Sequence, residues 1–297
     1  ASAALIDALR SDESCSFEVT LVDSSEKALA LAQKVFAQEY PAIATKKIIC
    51  NFEKSVSLSD EYDVIVMCHA LNELWKNETD CIERRVSFLE QIAAHLTDNG
   101  IMLLCEPALL ATSRNLIKVR DMLLQRHFAV VAPCVASEKQ MCHIPVCPAL
   151  TAGENHTCHA EIEWQPCEPV ASLAQKAGLD RESVKMTYVV LQKTTALQKN
   201  EHTSEEQIDN TVEEKVIYGR VVSEGMLNKA GRIRFLICDG RNRIAVSAKK
   251  EDAHAKQIGF FSLKRLDLIV LSDVEIRGDK QTAAYGIGPD TKLQKVN

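Results

Sequence analysis

Long hydrophobic runs are missing from this sequence. No stretch of about 18 apolar residues occurs, so no helix long and apolar enough to span a membrane is expected. Aromatic residues make up only 5% of the chain, which limits how many flat stacking platforms it can offer to nucleobases. The opening, ASAALIDALR, has neither the basic and apolar regions of a secretory signal nor the Arg-rich character of a transit peptide. It reads as the interior of a fold whose native start is missing. Cysteine, by contrast, is plentiful. Eleven cysteines in a chain without a secretory signal point to a reducing compartment rather than to disulfides.

At 297 residues, with about 100 to 200 residues per domain, two domains are expected. Apolar content of 46% and charged content of 26% are those of an ordinary globular protein. The net charge of -6 hides an asymmetry, because residues 215–297 carry 16 Lys and Arg against 9 Asp and Glu, a balance of +7. The preceding residues therefore carry -13. A basic module joined to an acidic one is a candidate nucleic-acid contact, although a solvated surface gives the same count.

Along the front of the chain, β-branched runs alternate with amphipathic ones. Residues 1–10 read as a helix, 17–22 (FEVTLV) as a strand meeting a helix cap at Asp23, Ser24 and Ser25, and 26–39 as a helix closed by Tyr40-Pro41. Strands are expected at 47–50, at 62–68 (YDVIVMC), at 101–105 after the turn Asp98-Asn99-Gly100, and at 128–132. Helices at 81–96 and 109–126 separate the last three, and 169–176 and 185–191 add a helix and an antiparallel edge strand. Such alternation predicts a parallel α/β sheet with right-handed crossovers, whose ligands bind at the carboxyl ends of the strands. The residues there are Asp23, Asn51, His69, Asn72, Glu73 and Glu106. Asp23 is placed to accept from two ribose hydroxyls, and equally to cap a helix; Asn72 and Glu73 equally start one.

Residues 131–169 hold five cysteines, Cys134, Cys142, Cys147, Cys158 and Cys167, with His143, His156, His159 and five prolines. Thiolates gathered on a Pro-rich loop suit soft metals, and a loop this polar cannot bury all five as core. A zinc site built on paired short knuckles is not spelled out, since only Cys142 and Cys147 approach that spacing. Irregular spacing with Cys147-Pro148 is compatible with an iron-sulfur cluster whose fourth thiolate comes from far away in sequence. Spacing alone leaves both metals open.

Residues 192–214 are polar, lack aromatics and read as a linker. Beyond it, strands are expected at 216–222, 233–238, 243–247, 268–271 and 275–277, with a turn at Asp239-Gly240. Five short strands suggest a small β-barrel of the OB type. Tyr218, Phe235, Phe260, Phe261 and Tyr285 are its aromatics, with core packing their expected use for the most part.

The order YDVIVMCHALNEL, GIMLLCEPALLATSRNLIKVRDMLL, VVAPC, CHIPVCP, CH and KMTYVVL, followed by YGRVVSEGMLNKAGRIRFLICDG, resembles the methyltransferase-like small-ribosomal-subunit assembly family, known from mitochondria with bacterial relatives. The likeness covers nearly the whole chain. It implies a Rossmann-like methyltransferase domain (1–193) with a Cys-rich metal loop (131–169), a linker (194–214) and a C-terminal OB-like β module (215–297). It further implies a [4Fe-4S] cluster, with zinc the alternative, and association with the small ribosomal subunit and its rRNA. By position Cys147 matches the Cys-Pro ligand, Cys158 the Cys-His ligand and Cys238 the distant ligand; the first is Cys134 or Cys142. The family's Gly-rich turn before the first helix, which approaches S-adenosylmethionine, is absent here, while Asp23 and the segment after Cys68, with His69, Asn72 and Glu73, match the remaining half of that pocket. No N-P-P-[YF] loop is present, and no catalytic base is named. The expected place is the cytoplasm, with the mitochondrial matrix as the alternative.

Overall fold

The structure, a computed structural model, describes residues 2–9, 15–135, 141–179, 182–194, 216–277 and 284–296. Of the expected linker, Gln192 and Lys193 end a strand and Thr194 follows it, and the rest lies outside the described residues. The chain forms two compact units, Ala1–Leu104 and Cys105–Asn297.

In the first unit α1 (Ser2–Leu9) is followed by β1 (Glu18–Asp23), α2 (Glu26–Glu39), β2 (Ala44–Ile49), β3 (Tyr62–Cys68), α3 (Cys81–Ala93) and the start of β4 (Leu96–Pro107). The Ser25 hydroxyl accepts the Ala28 N–H at 3.2 Å, satisfying one orphan donor of α2. Leu29 and Phe36 are the buried residues of α2, and the helix ends at Tyr40, before Pro41. β1 and β2 pair in parallel from Glu18↔Ala44 to Asp23↔Ile49. On α3, Val86, Phe88, Leu89, Ile92 and Ala93 fall at helical spacing and are buried. Each large apolar side chain among them stabilises by about 1.5 to 3 kcal/mol.

β4 lies beside β3 and starts earlier than expected, so Asp98, Asn99 and Gly100 belong to the strand rather than to a turn. Gly100 shows why. A Cβ there would come within 3.0 Å of the Tyr62 carbonyl oxygen, so glycine allows the close backbone approach.

The second unit continues from the end of β4 through α4 (Leu110–Leu124), β5 (Phe128–Ala132), α5 (Pro148–Thr151), β6 (Ala160–Glu163), α6 (Val170–Lys176) and β7 (Ser183–Lys193). β7 pairs antiparallel with β5 and with β6. The antiparallel direction is as expected, but the edge position is not, because β7 lies between β4 and β5. Its apolar residues Val189 and Leu191 are buried accordingly.

The remaining strands are β8 (Ile217–Val221), β9 (Met226–Leu227), β10 (Arg232–Cys238), β11 (Arg243–Lys249), β12 (Leu268–Ser272), β13 (Glu275–Arg277), β14 (Ala284–Gly286) and β15 (Lys292–Val296), with α7 (Ala253–Gln257) between β11 and β12. All five expected strands are present, and β9, β14 and β15 join them. They form one sheet in the order β13-β14-β11-β10-β8-β12-β15, with β9 beside β10. Among the described residues no pairing joins β13 to β15, so the expected barrel is not closed. Phe235 and Phe260, ring centroids 5.2 Å apart, are buried in its core with Ile237, Val246, Ile269 and Leu271.

Candidate metal centre and strand-end site

α4 lays an arginine into an apolar stripe, and the cysteine loop is built around it. Arg120 is 4% exposed and donates to Asp121 Oδ1 at 2.5 Å and to Cys142 Sγ at 3.3 Å. Asp121 Oδ2 in turn accepts the Cys147 N–H at 2.9 Å. Burial works against the Arg120 charge, and the thiols of Cys134 and Cys142 together with Asp121 outweigh it. Cys142 is pinned by its backbone, exchanging two 2.9 Å hydrogen bonds with Val130 of β5. Cys147 caps α5 and packs with Ile117 and Ala149. Cys158 is fixed through its carbonyl, which accepts from the Thr187 hydroxyl of β7 at 2.9 Å.

The fourth strand of thiol-bearing chain comes from the β sheet. Arg220 of β8 donates to the Pro133 carbonyl at 2.7 Å and Arg243 of β11 to the Thr157 carbonyl at 2.6 Å. Between β10 and β11, Asp239 Oδ1 accepts the Arg241 and Asn242 N–H groups, forming the expected turn. Gly240 in that turn has φ 92°, and a Cβ there would come within 2.3 Å of the Val135 carbonyl oxygen. Only glycine permits that approach.

The result is a cavity of about 60 Å³ lined by Cys134, Cys147, Cys158 and Cys238. Cys142 stands outside the lining, against Cys134 and Arg120. Burial pushes the Cys147 and Cys238 thiols up, each to about 12, while the N–H groups of Ala149 and Gly240 bond to the respective sulfurs and partly offset it. Burial also raises Cys158. Cys134 and Cys142 share a hydrogen bond that lowers Cys142 to about 7 and raises Cys134; Arg120 favours the Cys142 thiolate. His159 is lowered by burial and by Arg265. Cys167 is exposed and does not line the cavity.

Among the described residues, no group of three or more His, Cys, Asp or Glu side chains that could hold a metal ion is gathered, so the expected iron-sulfur or zinc ligand set finds no support there. The cavity is lined by Arg120, Arg220 and Arg243 as well as by the four thiols.

The strand-end residues belong to the first unit. Asp23 is exposed, and its Oδ1 accepts the Ser25 N–H at 2.7 Å in the turn before α2, whose cap is Ser25 rather than Asp23. Asn51 follows β2, whose neighbour β1 ends at Asp23, and its side chain accepts the Glu53 N–H at 3.0 Å. His69 is exposed at φ 56°. Glu73 pairs with Lys76 at 2.9 Å, both largely exposed. Arg85, 3% exposed, donates to the carbonyls of Asn72 and Leu74 at 2.8 and 2.9 Å and so fixes the turn after β3. The Trp75 N–H donates to Glu53 Oε1 at 2.7 Å, tying the loop after β2 to that turn. Glu106, in the second unit, is 1% exposed.

Sequence reasoning missed the arginines that hold both sites, Arg85, Arg120, Arg220 and Arg243. The available signal was a charged residue on the apolar stripe of a helix, Arg85 on the face of Leu89 and Ile92 and Arg120 on the face of Leu116 and Leu123, where only a paired cation is tolerated.

Together these features define an α/β protein whose cysteine loop and second β sheet share a thiol-lined cavity. The chain belongs to the mitochondrial small ribosomal subunit Rsm22 family, which it matches over residues 3–257. No curated protein matches it. Among solved structures, a protein of Thermoplasma acidophilum assigned as a methyltransferase is similar at 10% identity and a TM-score of 0.38, over 66% of this chain and 64% of that one. The plantazolicin methyltransferase BpumL in complex with SAH is similar at 13% identity and a TM-score of 0.34, over 64% and 71%. The N-methyltransferase NodS from Bradyrhizobium japonicum, also with SAH, is similar at 12% identity and a TM-score of 0.33, over 58% and 65%. The chain thus spans about 64% of the length of the first of these, and scores this low carry no weight beside the family match.

Proposed function

We propose that this protein associates with the small ribosomal subunit and its rRNA and supports subunit assembly, with a [4Fe-4S] cluster joining its cysteine loop to an OB-like β module. The single observation that carries the reading is that Cys238, about eighty residues beyond Cys158, lines the same cavity as Cys134, Cys147 and Cys158. Those four thiols would hold the cluster. When bound, the cluster supplies a rigid inorganic cross-link, and closing a loop of this length makes it strongly stabilising. Arg120, Arg220 and Arg243 offset its charge, while N–H groups of Ala149 and Gly240 orient two sulfurs. In this reading the methyltransferase-like domain ends near residue 193 and the β module begins near 215. The family's description favours the mitochondrial matrix over the cytoplasm.

Co-sedimentation with small-subunit particles tests it. The intact protein should travel with the particles, and Cys238→Ser should lose both the cluster and most of that association. Equal association of a cluster-free variant overturns the role given to the cluster.

A second reading, methyl transfer from S-adenosylmethionine to rRNA or a ribosomal protein, rests on Asp23 and Asn51 at the ends of the paired strands β1 and β2 and on His69, Asn72 and Glu73 after β3, although β1 and β2 form a sheet of their own. Asp23 would hold the ribose. Calorimetric titration with S-adenosylmethionine should then show binding that Asp23→Ala abolishes; no heat from the intact protein removes this reading.

A further inference from the structure

The sheet that carries Cys238 also carries cations with no carboxylate partner among the described residues. Alternate residues of a strand face opposite sides, and Phe235, Ile237, Val246 and Ala248 are buried in the core. The opposite face of β10 and β11 therefore holds Arg232, Arg234 and Cys238 on one strand and Arg243, Ser247 and Lys249 on the other. The Cys238 and Arg243 end of this face meets the cysteine loop. Its other end is open.

There the register sets Arg232 directly opposite Lys249, a like-charge pairing that destabilises a sheet. Lys250 donates its backbone N–H to the Gly231 carbonyl at 3.1 Å, which brings Lys229 and Lys250 to the same end of the hairpin. Elsewhere in this sheet cations meet carboxylates: Lys256 with Glu251, Lys295 with Asp267 and Arg265 with Glu224. Lys229, Arg234, Lys249 and Lys250 are exposed and have no carboxylate partner among the described residues. Arg277 of β13, itself paired with Glu275 at 2.6 Å, borders the same face, lying across Gly286 so closely that a Cβ there would fall 1.9 Å from its Nε. Between Arg277 and β10 the floor is small, made of Ala245, Ser247, Ala284 and Gly286. Burial and the nearby Arg277 together lower Arg232, consistent with cations crowded beyond what the local carboxylates offset.

The geometry points to the open end of the β10–β11 face as an RNA backbone site, with Lys229, Arg234, Lys249 and Lys250 contacting successive phosphates of a single strand. The inference rests on the ribosomal reading above for RNA as the polyanion. Four cations strung along a hairpin, rather than converging on one point, suit a ligand with repeating charge. With no aromatic residue among them, they contact backbone and tolerate any base sequence. The cluster end and the RNA end share one face of one pair of strands.

The test uses the holoprotein, its cluster followed by absorption, and a fluorescently labelled single-stranded oligouridine of about twenty nucleotides. Anisotropy is measured over a series of salt concentrations. Arg234→Gln with Lys249→Gln should weaken binding at least about tenfold and reduce the slope of log affinity against log salt by about 1.4, since each single-strand phosphate contact contributes about 0.7. Lys264→Gln with Lys295→Gln removes the same charge elsewhere and should cost less than about threefold. Equal losses in the two pairs, or stronger binding to phosphatidylserine vesicles than to RNA, overturn the site. The two failures are separable. Variants that keep the cluster and co-sediment with particles while failing this comparison overturn the surface alone, whereas a protein lacking cluster and particle association overturns the ribosomal reading.

Discussion

Cys134 and Cys142 are the two residues between which sequence could not choose, and their surroundings differ. Cys134 lines the cavity, while Cys142 is wholly buried beside Arg120 and bridged to Val130. Cys134→Ser should therefore lose the visible absorption of the cluster and Cys142→Ser should retain it, as read by spectra of the two purified variants. The reverse pattern would make Cys142 the ligand. The raised thiols also set a pH dependence. Cys147 and Cys238 ionise near 9 in an unfolded chain and near 12 in the folded apoprotein, so folding holds their protons more tightly. Stability from this source is present in full below about pH 9 and is lost as pH rises toward 12. Urea unfolding of apoprotein should show that decline, and Cys147→Ser with Cys238→Ser should flatten it. Cluster assembly runs the other way, because ligand thiols must deprotonate, so it improves as pH rises through neutrality.

At the scale of elements, the turn between β10 and β11 is the piece that brings Cys238 to the loop. Gly240→Ala forces a side chain into φ 92° and against the Val135 carbonyl. It should destabilise by about 3 kcal/mol, measured as a lowered urea midpoint, with slower cluster incorporation. An unchanged midpoint would mean the turn does not press on the loop as described. This turn was legible, since Asp-Gly between two β-branched runs has a mechanism behind it. The strand Tyr62–Cys68 and the helix Glu26–Glu39 were legible for similar reasons, being a continuous apolar run and a capped, Pro-terminated helix. The start of β4 was not, because Asp98-Asn99-Gly100 carries turn chemistry that tertiary contact with Tyr62 overrides. Nor was the interior place of β7, since order within a sheet is set by contacts distant in sequence. β15, with only Leu293 and Val296 apolar in KLQKV, gives no periodic signal strong enough to read.

At the scale of the molecule, the cysteines that line the cavity were nameable because residue type and flanking residues marked them, while the arginines beside them were hidden in helices and strands that look ordinary. Burial explains the difference: a thiol cluster is visible as composition, whereas a buried cation is recognised only once its partners are in place. The central claim is that sulfurs from the loop and from the second β sheet hold one inorganic body. Iron and acid-labile sulfide analysis of anaerobically purified protein, with its absorption spectrum, tests this most directly. The account predicts brown protein with about four iron and about four sulfide per chain, both lost in Cys238→Ser. Colourless protein without iron, or a Cys238→Ser variant that keeps its full complement, would contradict it.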